Sequence, residues 1–341
     1  MTEAGPARPR AGLWTYVLGY GAAYVPYSLL AKGISKGLFS ADHRGLDGPV
    51  LLPVSMIFSV VAMFAFWWRA GWWQDAARAR PWRLGRILLP RPRPGTWLAG
   101  LCVAGISAST TLAFTFDGVS IVLALLLMRG GILVMAPVVD ALQGRGIRPR
   151  AWAGFALTLA ALLVSLRGNA GGGIPRGCAA VLAVYFASYF ARFWVMTRLA
   201  KSPDHLANRR FLIEEQMVGN GLLVAGLLAL AARGGDGTAG ELRRGLCGLW
   251  GDPGLVAALL AMGLCSAGTG MFGTLVFLDP RENTFCVPLN RAASLLAGVA
   301  ASLLLAAIFG TGAPRPPELL GVGLVTAALA VAAWPGRRQE G

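Results

Sequence analysis

The stretch LLLMRGGIL, residues 125–133, sets Arg129 inside an otherwise apolar run of about twenty residues, the length of a membrane-crossing helix. An arginine at the centre of such a helix costs about 2.5–3.5 kcal/mol on insertion scales, so its presence needs a reason. It has a counterpart. Leu127, Arg129 and Leu133 match Leu289, Arg291 and Leu295 at a constant offset of 162 positions, with Gly130 and Gly131 answered by Ala292 and Ala293. Two arginines at matched depths read as a binding site. The alternative is structural, each arginine satisfying helix carbonyls or a buried carboxylate.

Outward from this stretch, the 341 residues are 55% hydrophobic and 14% charged, in apolar runs too long for a soluble domain. The expected fold is an all-α polytopic membrane protein of about ten transmembrane helices in two inverted five-helix repeats. The predicted spans are 11–30, 49–68, 95–114, 118–139 and 151–166, then 177–199, 211–231, 254–278, 284–309 and 319–334. The repeats occupy residues 11–166 and 175–335. Three matches carry the duplication. Asp117 and Arg129 align with Asp279 and Arg291; Pro149 and Gly154 align with Pro316 and Gly321; Tyr20, Ala22 and Tyr24 align with Tyr185, Ala187 and Tyr189. The first apolar segment lacks a cleavage signature and reads as a retained span.

The net charge of +15 lies between the apolar segments, as in cytoplasmic membrane loops, rather than on a separate basic domain, so no nucleic-acid partner is expected. Counting loops, about 19 basic residues fall on one side and about 9 on the other, which predicts cytoplasmic termini. The basic loop 69–94 holds Arg69, Arg78, Arg80, Arg83, Arg86, Arg91 and Arg93, and it follows Trp67 and Trp68 and includes Trp72, Trp73 and Trp82. It reads as a cytoplasmic loop lying along the headgroups, with a tryptophan belt and an affinity for anionic lipid as a further role. The five cysteines are isolated, and the two histidines, His43 and His205, fall in predicted loops on opposite sides. No disulfide framework, metal site or cofactor is expected. With no phosphate-binding loop, zinc-binding helix or nucleophile elbow, the chain carries no nucleotide-driven pump and no recognisable enzyme centre.

All six tyrosines lie in the first and sixth predicted helices. Tyr20, Tyr24 and Tyr27 form one stripe at helical spacing, and Tyr185, Tyr189 and Arg192 another, facing either a cavity or an interfacial belt. Arg129 and Arg291 suit carboxylate or phosphate through their planar donor forks. Asn290 stands about 100° round the helix from Arg291, as a further polar contact or a packing residue. Arg192 is a third cation, or a side chain snorkelling to the interface. Glu214 and Glu215 are candidates for proton coupling, or acidic residues at a solvated helix start. Asp117 and Asp279 are candidate gates, or turn residues binding backbone donors; Asp140 reads as a loop residue.

The patterns LLLMRGGILVMAPVVDALQGR with PRAWAGFALTLAALLVSL, and VPLNRAASLLAG with PPELLGVGLVTAALAV, make the chain resemble the drug/metabolite transporter superfamily over nearly its whole length. That superfamily includes EamA-type exporters, nucleotide-sugar transporters and sugar-phosphate translocators. The resemblance implies a central cavity between inverted repeats, alternating access and no covalent chemistry. Branches moving phosphorylated substrates carry basic residues where Arg129 and Arg291 stand, which implies an organic anion: a phosphorylated metabolite, a nucleotide sugar or a lipid-linked phosphate. An EamA-like proton-coupled exporter of neutral or zwitterionic metabolites, and a lipid-handling membrane enzyme or receptor, are the alternatives.

Overall fold

The computed structural model describes residues 12–79, 81–84, 87–116, 118–142, 156–157, 159–161, 163–164, 174–199, 205–278 and 283–333. Its helices are α1 (Leu13–Ser35), α2 (Gly48–Arg69), α3 (Trp72–Ala79), α4 (Pro94–Ala113), α5 (Ile121–Leu142), α6 (Arg176–Leu199), α7 (His205–Arg233), α8 (Thr238–Gly248), α9 (Pro253–Phe277), α10 (Asn283–Phe309) and α11 (Pro316–Ala333). The described residues between 156 and 164 are helical too. Stretches of α2, α4, α6, α7, α9 and α10 are long and apolar enough to cross a membrane. The protein is a helical integral membrane protein. At 23 residues α1 is as long, but its four tyrosines lower its hydropathy, and Tyr20, Tyr24 and Tyr27 face inward and are buried.

One feature departs from an all-helical expectation: a short hairpin, β1 (Pro81–Leu84) with β2 (Ile87–Pro90), pairs antiparallel in the basic loop. The short helices α3 and α8 follow α2 and α7. Of the tryptophans expected in an interfacial belt, Trp67 and Trp73 are instead buried with Met63, Ile213 and Met271, and the Trp73 indole donates to the Leu88 carbonyl at 3.1 Å. Trp68 and Trp82 are exposed, as a belt requires. Asp140 lies within α5, not in a loop, and His205 opens α7 rather than sitting in a connection. Asp117, Asp279 and most of the fifth predicted span fall outside the described residues.

The helices pack reciprocally. α1 lies against α9 and α10, while α4 lies against α6 and α7; α2 packs on α9; α3 rests on α7, and α8 on α2. Glycine sets the closest crossings. A β-carbon at Gly100 of α4 would come within 3.0 Å of the Glu215 carbonyl on α7, and one at Gly263 of α9 within 2.8 Å of the Ser55 carbonyl on α2. Five residues further along the same helices, one at Gly105 would meet Ser188 of α6, and one at Gly268 would lie 3.0 Å from Ala23 of α1. Without side chains at these points the backbones approach as membrane helices do through small residues.

The ends are fixed by local chemistry. α1 stops in a Schellman motif, with Gly37 at φ 73°, Leu38 N–H donating to the Gly33 carbonyl at 2.9 Å and Gly37 N–H to Ile34 at 3.0 Å. At the start of α9 the exposed Asp252 carboxylate accepts from Ala41 N–H at 2.9 Å and Leu255 N–H at 3.1 Å, tying the α1 turn to the helix. The Ala41 bond, then the Leu255 bond, holds its pKa below the ordinary aspartate value. A lowered folded-state value stabilises above the unfolded value of about 3.9, and that contribution disappears as pH falls through the folded-state value. Asp252→Asn keeps a capping oxygen but does not titrate, so its melting temperature should trail the wild type at neutral pH and converge on it in acid.

Candidate functional site

Where α1, α4, α5, α6, α7, α9 and α10 meet, they line a cavity of about 90 Å³. Its tyrosine wall is Tyr20, Tyr24, Tyr27 and Tyr189; Arg129, Arg192 and Asn290 also reach its surface. The stripes therefore face a cavity, and an interfacial belt does not describe them. Tyr185 is fully buried beside Tyr189, their ring centroids 4.7 Å apart.

Among the described residues, Arg129 is held by tyrosines. It donates to the hydroxyls of Tyr185, of Tyr24 at 2.8 Å and of Tyr20 at 3.5 Å, and its guanidinium carbon lies 5.5 Å from the Tyr24 ring centre. Its Nε has no partner. Arg291, 0% exposed, sits behind the cavity wall, 4.7 Å from the Tyr189 ring centre and 5.3 Å from that of Phe277. Among the described residues it makes a single long hydrogen bond, to the Tyr189 hydroxyl at 3.4 Å, and its Nε and Nη2 have none. Asn290 takes the cavity face that the helical offset from Arg291 assigns it, and its buried Nδ2 also lacks an acceptor.

The remaining charges are compensated. Arg192 forks onto Glu215, Nε to Oε1 at 2.8 Å and Nη2 to Oε2 at 2.7 Å, and reaches Thr274 at 3.3 Å. It is neither an isolated cation nor a snorkelling side chain, because it is 5% exposed and paired. α7 begins at His205, so Glu214 and Glu215 lie well inside the helix and are buried, which removes the reading of a solvated helix start. Glu214 turns from the cavity: it accepts from Arg93 N–H at 3.2 Å and Thr96 Oγ1 at 3.3 Å at the head of α4, and pairs with Arg210 at 3.2 Å. Deeper on α7, Asn220 donates to Gln216 at 3.0 Å.

Among the described residues, neither Arg129 nor Arg291 has a carboxylate partner, and no carboxylate lines the cavity. A buried charge without a partner costs several kcal/mol. The tyrosine hydroxyls that accept from arginine keep their own O–H to donate, so the wall is rich in donors. Such a donor-rich wall suits a group with several acceptor oxygens.

No protein-family model matches the chain, and no curated protein matches it. A solved structure, described only as the crystal structure of a protein, is similar in fold, with a TM-score of 0.57 over 96% of this chain and 98% of that one at 20% identity.

The cavity also has hydroxyl-bearing walls that the sequence reading passed over: Ser107 and Thr110 on α4, Ser266 and Thr269 on α9. The signal was there as hydroxyls three residues apart on each of two apolar helices, which places them on one face. Small and polar residues recur in membrane helices for packing alone, and only the crossing of α4 with its neighbours shows which face they line.

Proposed function

We propose that the protein is a secondary transporter or exchanger of an organic anion, built on the drug/metabolite transporter plan as two inverted five-helix repeats and working by alternating access. The substrate classes are those carrying phosphate: a phosphorylated metabolite, a nucleotide sugar or a lipid-linked phosphate. The observation that carries the reading is the pair of buried arginines, Arg129 on the cavity and Arg291 behind its wall, bonded to four tyrosines, with unpaired N–H groups and, among the described residues, no carboxylate partner. A neutral substrate brings no charge to offset these two guanidiniums, whereas an anion does.

The reciprocal packing supports the duplication. Gly100 and Gly105 map onto Gly263 and Gly268 at an offset of 163, and each pair touches corresponding helices of the other half. Tyr20, Tyr24 and Tyr27 map onto Tyr185, Tyr189 and Arg192 at an offset of 165, and the Tyr27 bond to Thr111 mirrors the Arg192 bond to Thr274. An organic phosphate enters the cavity, on this plan, as the halves part. On this plan the termini are cytoplasmic and the membrane is a bacterial inner membrane.

Uptake of a panel of phosphorylated metabolites into proteoliposomes tests the proposal. Arg129→Ala should lower uptake of the transported compound by at least about thirtyfold, the lower end for losing a buried charged contact. Normal uptake by a well-folded Arg129→Ala protein would refute it.

A further inference from the structure

Around the cavity the two halves share a pair of tyrosines and an arginine, and they differ in charge at one place. Where the first half has Tyr27 bonded to Thr111, with Ser55 at the glycine crossing, the second has Arg192 bonded to Thr274 and to Glu215. The fold therefore accommodates neutral side chains in this position, and a buried ion pair there is not a packing requirement. Such pairs are often no more stabilising than apolar replacements, and their best-attested use is as a switch.

Resting on the transport reading, we infer that Arg192 and Glu215 form a proton-operated latch: Glu215 takes up a proton when the anion binds, and the released Arg192 becomes a further anion ligand. Arg192 already lines the cavity, whereas Glu215 is fully buried behind it. Among the described residues, the groups facing the pair include no other carboxylate. α6 presents Arg192 and Tyr189, α9 presents Thr274, and α4 presents the Gly100 backbone with the Cys102 thiol in electrostatic reach. α2 reaches α7 through Met63 at Asn220, and α3 through Trp72 at Arg209. Glu214 is committed to Arg93, Thr96 and Arg210.

The step balances simply. One proton from water forms an O–H bond on the Glu215 carboxyl, the two guanidinium bonds to it are released, and the pair's charge changes from zero to +1. That charge offsets the arriving anion. When the anion leaves, Arg192 returns to the carboxylate and the proton departs on the same side. Anion and proton thus move together, and Glu215 rather than Glu214 carries the proton.

The test uses the full chain in liposomes of phosphatidylethanolamine and phosphatidylglycerol, with radiolabelled inorganic phosphate as the probe and the membrane potential clamped. External pH is held well above the second ionisation of phosphate and the interior is made equal or more alkaline, so the probe stays a dianion on both sides of the membrane. In the wild type, accumulation should rise about tenfold for each pH unit of gradient, as one proton per anion requires. In Glu215→Gln the ratio of accumulation with and without the gradient should fall to about one, while Glu214→Gln should keep the wild-type ratio. Should Glu215→Gln fold poorly, the double variant Arg192→Tyr with Glu215→Ser, which copies Tyr27 and Ser55, provides the same reading. Gradient-driven accumulation that survives in both variants, or that is absent from a wild type whose phosphate flux requires Arg129, overturns the latch. An absence of any Arg129-dependent flux instead removes the transport reading beneath it.

Discussion

Arg291→Met is expected to raise the melting temperature of the purified protein and to abolish anion uptake. The guanidinium is completely buried, has two nitrogens without partners and shares its surroundings with Arg129, so it contributes desolvation cost and repulsion while the site is empty. A methionine of similar reach packs its thioether against Tyr189 and Phe277, the two rings that flank Arg291. Replacing a poorly compensated buried charge with an apolar side chain gains about 1–4 kcal/mol by the precedent of buried ion pairs. Uptake moves the other way: losing a desolvated charged contact costs about 2–5 kcal/mol, or roughly thirtyfold to several thousandfold. Thermal unfolding and proteoliposome uptake on the same preparation check both signs. A lowered melting temperature of similar size would make Arg291 a structural residue.

Arg192→Met, the same chemical change on a neighbouring helix, is expected to destabilise the protein by about 3–5 kcal/mol, the cost of stranding a buried charge. Here the guanidinium is saturated by Glu215 and Thr274, so its removal strands a carboxylate that is 0% exposed. Adding Glu215→Leu should restore most of the loss, because the second charge then leaves with the first. A double-mutant cycle in thermal unfolding measures the coupling between the two positions. Strictly additive effects would show that the pair contributes nothing as a pair. The opposite stability signs at Arg291 and Arg192 separate an arginine kept for a ligand from one satisfied within the fold.

Much of this was legible in the chain. The long helices end within a few residues of the apolar windows, because lipid selects on length and hydropathy, which are local properties. The exception is instructive. α7 begins six residues before its predicted start, since HLANRR is helical but polar, and that shift carried Glu214 and Glu215 from a supposed helix start into the protein interior. Helical spacing found the tyrosine stripes and placed Asn290 apart from Arg291. It could not find the Arg192–Glu215 pair, which joins two helices whose crossing no single-helix period encodes. Nor did hydropathy reveal the burial of Trp67 and Trp73, because the same residues serve an interface or a core equally well.

The measurement that bears most directly on the central claim is a thermal-shift titration of the full chain with phosphate monoesters, nucleotide sugars, amino acids and neutral sugars, run in parallel on wild type and the Arg129→Met, Arg291→Met double variant. Binding to the folded state raises apparent stability with the logarithm of ligand concentration. The expected result is stabilisation of the wild type by phosphate-bearing compounds and none in the double variant. Equal stabilisation of both proteins, or a response confined to neutral or zwitterionic compounds, would contradict an anion site built on Arg129 and Arg291.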